Sequence, residues 1–371
     1  MPTNKAAWLR AKGATLEVGP APYTPPRANE IVIKNHAVAI NPIDWAIQVA
    51  KLFRWIKFPV VLGSDVAGEV VEVGPAVTRF AVGDRVLGHA VGVDKKRNTS
   101  AEGAFQEYTV LLAHMASPIP RTMSYESAAV LPLAVSTAAC GLFQKDQLAL
   151  HHPSADAKPA GETLLVWGGS TSVGSNAIQL AVAAGYDVIT TCSPRNYAYV
   201  TQLGARQAFD YNSPTVVADI IEALRGKRIA GALALGVGSA QACAAIVHAS
   251  DGAKFVSRGS VDGSIENGMT AQAVAKIVSS NISLWVTTRL RRVRTNFIFG
   301  SSLMDNEVGP AIYVDFLPAA LAAGRYAAAP EPYVVGTGLD SVQTGLDIQK
   351  KGVSAKKVVV SVAPVGAGGE R

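Results

Sequence analysis

The feature that most constrains this chain is "LLVWGGSTSVGSNAIQLAVAAGYDVITTC", residues 164 to 192. An apolar run ends in Gly168 and Gly169. Hydroxyl residues follow, and an Ala-rich helical pattern leads to a second apolar run. Strand, tight turn and helix N-terminus together make an anion site, because unpaired helix N–H groups and the helix dipole converge there. No Gly-Lys-Ser/Thr follows, which excludes a Walker A loop. Gly168 and Gly174 occupy the outer positions of a GxxGxxG dinucleotide fingerprint, with Thr171 in the middle. Gly169, Ser170, Thr171, Ser172, Val173 and Gly174 form the candidate phosphate cradle, the three hydroxyls replacing part of a glycine backbone. A Ser/Gly capping turn in a plain α/β domain is the competing reading.

The alternation continues on the C-terminal side. "QAFDY" (207–211), "IAGALALGV" (229–237) and "AKFVSRG" (253–259) read as strands, with helical "YAYVTQLGA", "VVADIIEALRG" and "AQACAAIVHAS" interleaved. Such an order predicts a parallel sheet covered on both faces. The first third is different: "EIVIKNHAVAIN", "DVAGEVVEVG" and "RFAVGDRVLGHAVG" are Val/Ile-rich and punctuated by Gly, as in a small irregular barrel. "TMSYESAAVLPLAVSTAACGLFQ" (122–144) reads as helical, as does "AIYVDFLPAALAAGRY" (311–326), and "AKKVVVSVA" (355–363) reads as a last strand. "PSADAKPAGE" (153–162) is a connector, and the tail "PVGAGGER" is expected to be disordered.

With 371 residues, 49% of them hydrophobic, the chain can bury two domain cores. A net charge of +6, spread thinly apart from "RLRRVR" at 289–294, excludes a dense nucleic-acid patch. The longest apolar run, residues 229–249, is interrupted by Gly, Ser and Gln and does not read as a membrane span. Cys140, Cys192 and Cys243 stand far apart in apolar contexts, as buried free thiols. Together with an N-terminus that lacks a signal-like apolar run, this leads to the expectation of a cytoplasmic protein.

The end of the second strand selects the nucleotide. NAD-binding folds place Asp or Glu there for the adenosine ribose. Here the stretch is "CSPRNY". Ser193, Arg195 and Asn196 are donors suited to a 2′-phosphate, which an acid would repel. NADPH is the expected cofactor. Tyr211, ending the third strand, either reaches the same phosphate or packs at the strand end.

At this point the chain resembles the medium-chain dehydrogenase/reductase superfamily, in its zinc-free branch of quinone oxidoreductases and fungal trans-acting enoyl reductases. The resemblance rests on "VAINPID" (38–44), "LGSDVAGEVVEVG" (62–74), "FAVGDRVLG" (80–88), "GAFQEYTV" (103–110), "AAVLPLAVSTA" (128–138), "VWGGSTSVG" (166–174) and "KKGVSAKKVVV" (350–360), in that order. It implies an α/β protein: a GroES-like irregular β-barrel substrate domain over 1–129, completed by 301–371, and a Rossmann doubly wound parallel sheet over 130–300. It further implies a cofactor cleft bordered by Asn41, Pro42, Asp44 and Trp45, with Thr137 near the nicotinamide ribose. Gly236, Ser257 and Ser354 would line the rest of that cleft.

Zinc-dependent members carry Cys near position 41, Gly-His-Glu near position 63 and a four-Cys lobe after it. This chain has Asn41, Gly63-Ser64-Asp65 and no Cys between 88 and 115, so no metal site is expected. His36, His89 and His114 are isolated and read as structural. The enoyl reductases carry Lys shortly after their Asp, where Ala46 stands here.

Without a Lewis acid, hydride addition to a carbonyl-conjugated C=C bond or to a quinone is easier to support than alcohol oxidation. Asn41 either donates to the substrate oxygen or caps a turn before Pro42. Asp44 either positions a water or caps the helix "DWAIQVAKLF". Trp45, Phe53 and Trp55 wall an apolar pocket or fill core. The expected activity is NADPH-dependent enone or quinone reduction. Two alternatives are a trans-acting enoyl reductase whose "RLRRVR" meets an acidic carrier protein, and a catalytically idle NADPH-binding sensor. The expected partners are a small-molecule substrate, with no nucleic acid and no membrane. A homodimer and a carrier protein stay open as macromolecular partners.

Overall fold

In a computed structural model, residues 2–50, 52–260 and 268–362 are described, so the expectation for the tail at 364–371 lies outside the described residues. The chain divides into two compact units, one of residues 1–133, 265–268 and 313–371, the other of residues 134–264 and 269–312.

The first unit is mostly antiparallel. Strands β1 (Asn4–Leu9), β2 (Leu16–Ala21) and β4 (Val60–Val61) form a three-stranded sheet. The larger sheet runs in the order β16 (Glu331–Thr337), β17 (Lys356–Ser361), β3 (Glu30–Ala39), β5 (Asp65–Val73), β6 (Arg85–His89) and β8 (Ala116–Pro118). β7 (Tyr108–Leu112) pairs with β3 off that path. Both strand paths are open at their ends. The Val/Ile-rich runs face a shared core that includes Ile33, Val38, Ile40, Val66, Phe105, Leu346 and Val358. Helices α1 (Pro42–Ala50), α2 (Tyr125–Ala129), α10 (Leu317–Ala322) and α11 (Ser341–Lys351) complete the unit.

The second unit is a parallel sheet in the order β11 (Gln207–Phe209), β10 (Asp187–Thr191), β9 (Glu162–Trp167), β12 (Arg228–Ala234), β14 (Phe255–Arg258) and β15 (Arg294–Phe297). β13 (Asp251–Gly252) pairs with β12. In chain sequence that order is third, second, first, fourth, fifth, sixth, the doubly wound Rossmann arrangement, and it reverses between β9 and β12. Helices α4 (Ser172–Ala183), α5 (Tyr197–Gln202), α6 (Val216–Ala223) and α7 (Ser239–Ala249) link the strands, as the alternation predicts.

Three elements differ from the sequence expectation. The helix expected across 122–144 is two, α2 and α3 (Pro132–Phe143), because Pro132 lacks the N–H that an unbroken helix would need. Tyr125–Phe143 is long and apolar enough to cross a membrane by composition, yet it is mostly buried inside the fold. The helix expected at 311–326 starts as a short α9 (Val308–Pro310) and a wide π-type stretch, Ala311–Phe316, before α10. A twenty-residue helix, α8 (Ala271–Leu290), has no counterpart in the sequence reading.

Candidate functional site

In the second unit, the turn after β9 is built for close approach. Gly168 has φ +90, a region favouring glycine, and its N–H donates to Thr191 Oγ1 at 3.0 Å. Gly169 N–H donates to the Thr191 carbonyl, which ties the turn to the end of β10. A Cβ on Gly174 would lie 2.2 Å from Gly168 O, and one on Gly169 would lie 2.1 Å from Thr190 Oγ1. Only glycine lets the first turn of α4 sit this tightly on the strand end.

Thr171 is the N-cap of α4, its Oγ1 accepting from Gly174 N–H at 3.0 Å. The N–H groups of Ser172 and Val173 are the first of the helix, the positions an α-helix leaves without internal partners. The cradle fits a phosphate on these grounds: a helix N-terminus and a backbone surface kept open by glycine.

The structure brings Ser193 and Tyr211 together, their hydroxyl oxygens 3.3 Å apart. Arg195 is exposed beside them in the short turn Pro194–Asn196, and Asn196 is buried. One carboxylate near this strand end escaped the sequence reading. Asp210 follows β11, and its Oδ1 accepts from the N–H and side chain of Asn212, an Asx-type turn; its charge also acts on Cys192 and Tyr197 past the end of β10. After β12, Gly236 has φ +100, and its N–H donates to Ser260 Oγ at 2.8 Å. Ser257 is fully buried, and its hydroxyl donates to Gly141 O at 2.9 Å. Thr137 lies half-buried on α3 with its Oγ1 against Gly300.

In the first unit, the sequence candidates sit in a buried polar cluster. Asn41 precedes α1, and its N–H donates to Asp44 Oδ2 at 2.8 Å, the reciprocal bond of a capping box. Burial pushes the Asp44 carboxyl up to about 7, against hydrogen bonds from the Asn41 and Gly63 backbone that favour the ionised form. The carboxylate of Asp44 is thus turned to the helix start. Pro42 is exposed, and Trp45 Nε1 donates to Gln349 Oε1 at 2.5 Å. Phe53 and Trp55 stack at 4.6 Å and pack, with Trp45, against the unit's core. Ser354 is exposed in the loop before β17.

Two cluster members carried no role in the sequence reading. Asp65, fully buried, accepts from Asn41 Nδ2 at 2.8 Å, from Leu133 N–H at 2.5 Å and from Lys357 Nζ at 2.7 Å. Lys357, 4% exposed, also donates to Asn41 Oδ1 at 2.5 Å. Sheet register explains the meeting. Val359 pairs with Ala39, so the antiparallel count carried two residues on sets Lys357 beside Asn41. Ala39 pairs with Asp65 on the other side. His89, opposite Asp65 on β6, is buried, and desolvation lowers its pKa to about 4. The one signal in the sequence is the lysine that directly precedes the apolar run in "KKVVVSV". Among the described residues, no group of three or more His, Cys, Asp or Glu side chains is gathered to hold a metal ion.

A family model, the alcohol dehydrogenase GroES-like domain, matches residues 27–121. The dehydrogenase pigH of Monascus ruber is 54% identical over 98% of this chain and all of its own length. The trans-enoyl reductase himH of Aspergillus japonicus is 38% identical over 97% of this chain and 98% of its own. Among solved structures, mycobacterial Rv1454c complexed with NADPH matches with a TM-score of 0.68 at 20% identity, covering 96% of this chain and 99% of that one. Sheet order, glycine cradle and similarity to these relatives over nearly the whole length agree: the chain belongs to the medium-chain dehydrogenase/reductase superfamily of nicotinamide-dependent oxidoreductases.

Proposed function

We propose that the chain is an NADPH-dependent reductase that adds hydride to a carbonyl-conjugated C=C bond or to a quinone without a catalytic metal. The observation that carries this reading is the end of β10. Ser193 and Tyr211 meet at the end of β10, with Arg195 exposed in the turn that follows, the region where an NAD enzyme holds a ribose-binding carboxylate. The name of himH, a trans-enoyl reductase, supports the C=C bond as substrate.

When bound, the nicotinamide cofactor supplies the hydride. The Ser172 and Val173 N–H groups and the α4 dipole hold its pyrophosphate, and Arg195 pairs with its 2′-phosphate. Asn41 donates a side-chain N–H to the substrate carbonyl oxygen, where charge gathers as the enolate forms. Asn41 and Ser64 are weak metal ligands, and the Asp65 carboxylate is already paired with an ammonium. Fluorescence titration with NADPH and NADH tests the reading. It expects tighter NADPH, and equal affinities would sink the cofactor assignment.

A second reading, the trans-acting enoyl reductase, draws on α8. Val278, Ile282, Trp285 and Leu290 are exposed along it, and Arg289 and Arg292 lie exposed at and just past its C-terminal end. No Asp or Glu occurs from 269 to 304, so this face suits an acidic carrier protein better than a second copy of itself. A change in Kd for an isolated carrier domain on Trp285→Ala would support this reading.

A further inference from the structure

We infer that Lys357 is a positioning residue for the reaction, clamping the Asn41 carboxamide so that one N–H stays free for the substrate oxygen. The inference rests on the reading of Asn41 as the substrate donor. Its geometric part stands on the buried cluster alone.

A side-chain amide has one acceptor oxygen and two N–H donors, and its two orientations, alike in shape, are told apart by their hydrogen-bond partners. Here charge on both sides removes the choice. Lys357 can only donate, and it lies 2.5 Å from Asn41 Oδ1. The ionised Asp65 can only accept, and its Oδ2 lies 2.8 Å from Asn41 Nδ2. Turning the amide over would set donor against donor and acceptor against acceptor, next to a full charge each time. Lys357 and Asp65 are themselves joined at 2.7 Å, so the three groups close a ring of hydrogen bonds. Leu133 N–H, on the other carboxylate oxygen, fixes Asp65 in turn.

The consequence is an inventory. The Asn41 oxygen is taken by Lys357 and one Nδ2 hydrogen by Asp65, which leaves one hydrogen. A donor held in place before the reaction costs no reorganisation when charge develops, the condition for transition-state stabilisation by a hydrogen bond. A buried ion pair adds little net stability against an apolar replacement, which agrees with a role in fixing an orientation. The superfamily's zinc-binding members place a metal ligand near position 41. In this chain the ammonium of Lys357 occupies the side of Asn41 that faces the sheet.

Lys357→Met alone would leave Asp65 buried with its charge uncompensated, so the double variant Lys357→Met/Asp65→Asn carries the test, because it removes both charges. Two readouts are taken on full-length protein whose fold is checked by circular dichroism. The first is the Asn41 side-chain amide proton pair, seen by NMR on 15N-asparagine-labelled protein and assigned with Asn41→Ser. Wild type should show a split pair with slow solvent exchange, and the double variant a pair that exchanges about tenfold faster or more. The second is steady-state reduction of an enone. There kcat should fall about tenfold or more with KM within about twofold, the pattern of an interaction made in the transition state. A folded double variant with unchanged kcat, or with the Asn41 amide pair unchanged, overturns the proposal. If wild type reduces neither enone nor quinone, the functional reading fails by itself, and the amide resonances still report whether the clamp exists. Should the double variant not fold, Lys357→Arg gives the same two readouts, since its planar group cannot repeat the single-point contact. Unchanged kcat and amide signals there overturn the proposal equally.

Discussion

Replacing Asp44 by Asn should change how stability depends on pH, in a direction and amount that the structure sets. Asp44 is 1% exposed, and burial lifts its carboxyl from the ordinary 3.8 to about 7. A carboxyl raised in the folded state binds a proton there that the unfolded chain has already released. Its contribution is therefore fully present below 3.8 and is lost as pH rises toward about 7. One pKa unit is worth about 1.4 kcal/mol, so the window of about three units sets a ceiling of about 4 kcal/mol, of which about 3 kcal/mol falls between pH 4.5 and 7.5. His89 works the opposite way. Held neutral and lowered from 6.5 to about 4, it removes stability as pH falls through that range. The two partly cancel in wild type, and Asp44→Asn leaves His89 alone. Urea unfolding can be followed by tryptophan fluorescence, to which Trp8, Trp45 and Trp55 of the first unit contribute. The stability of the variant relative to wild type should improve by about 3 kcal/mol from pH 4.5 to 7.5. A difference that stays flat across that range would refute the assignment of a raised carboxyl to Asp44.

The remaining predictions concern binding and turnover. If Arg195 pairs with the 2′-phosphate as proposed, Arg195→Ala should weaken NADPH about tenfold and leave NADH unchanged, the exposed position holding the effect to that size; titration of both nucleotides reads this. Gly174→Ala should loosen both nucleotides and lower stability by about 1–3 kcal/mol, because backbone lies 2.2 Å from the new Cβ; calorimetry beside the same titration checks it. Asn41→Ala should lower kcat more than it raises KM in enone reduction, and the reverse pattern would make Asn41 a ground-state contact.

Local signals made the nucleotide turn legible. β9, the glycine turn and α4 are consecutive, and each announces itself by periodicity, by glycine at positive φ or by a capping threonine. The expected thiols are also where their apolar contexts placed them, all three buried. α8 escaped because periodicity reports burial, and only Ala273, Leu284 and Thr288 of that helix are buried. Pro132 sits inside a long apolar run that masks the helix break its missing N–H makes. The cluster around Asn41 was half legible. Asp44 reads as a cap of a helix over 44–53, but α1 runs Pro42–Ala50, so Asn41 stands at the cap and Asp44 is the third helical residue, its carboxylate accepting from the Asn41 N–H. Lys357 lies 316 residues further along the chain, and nothing short of the β3–β17 register brings it to Asn41.

The most direct test of the account follows NADPH oxidation by purified protein with a quinone, a carbonyl-conjugated alkene and a saturated ketone in parallel. An enolate spreads its charge over the substrate, so the single donor of Asn41 suffices; an alkoxide demands a stronger electrophile than an amide. The account predicts turnover of the quinone or the conjugated alkene and none of the saturated ketone. Fast turnover of the ketone with neither of the others would contradict it.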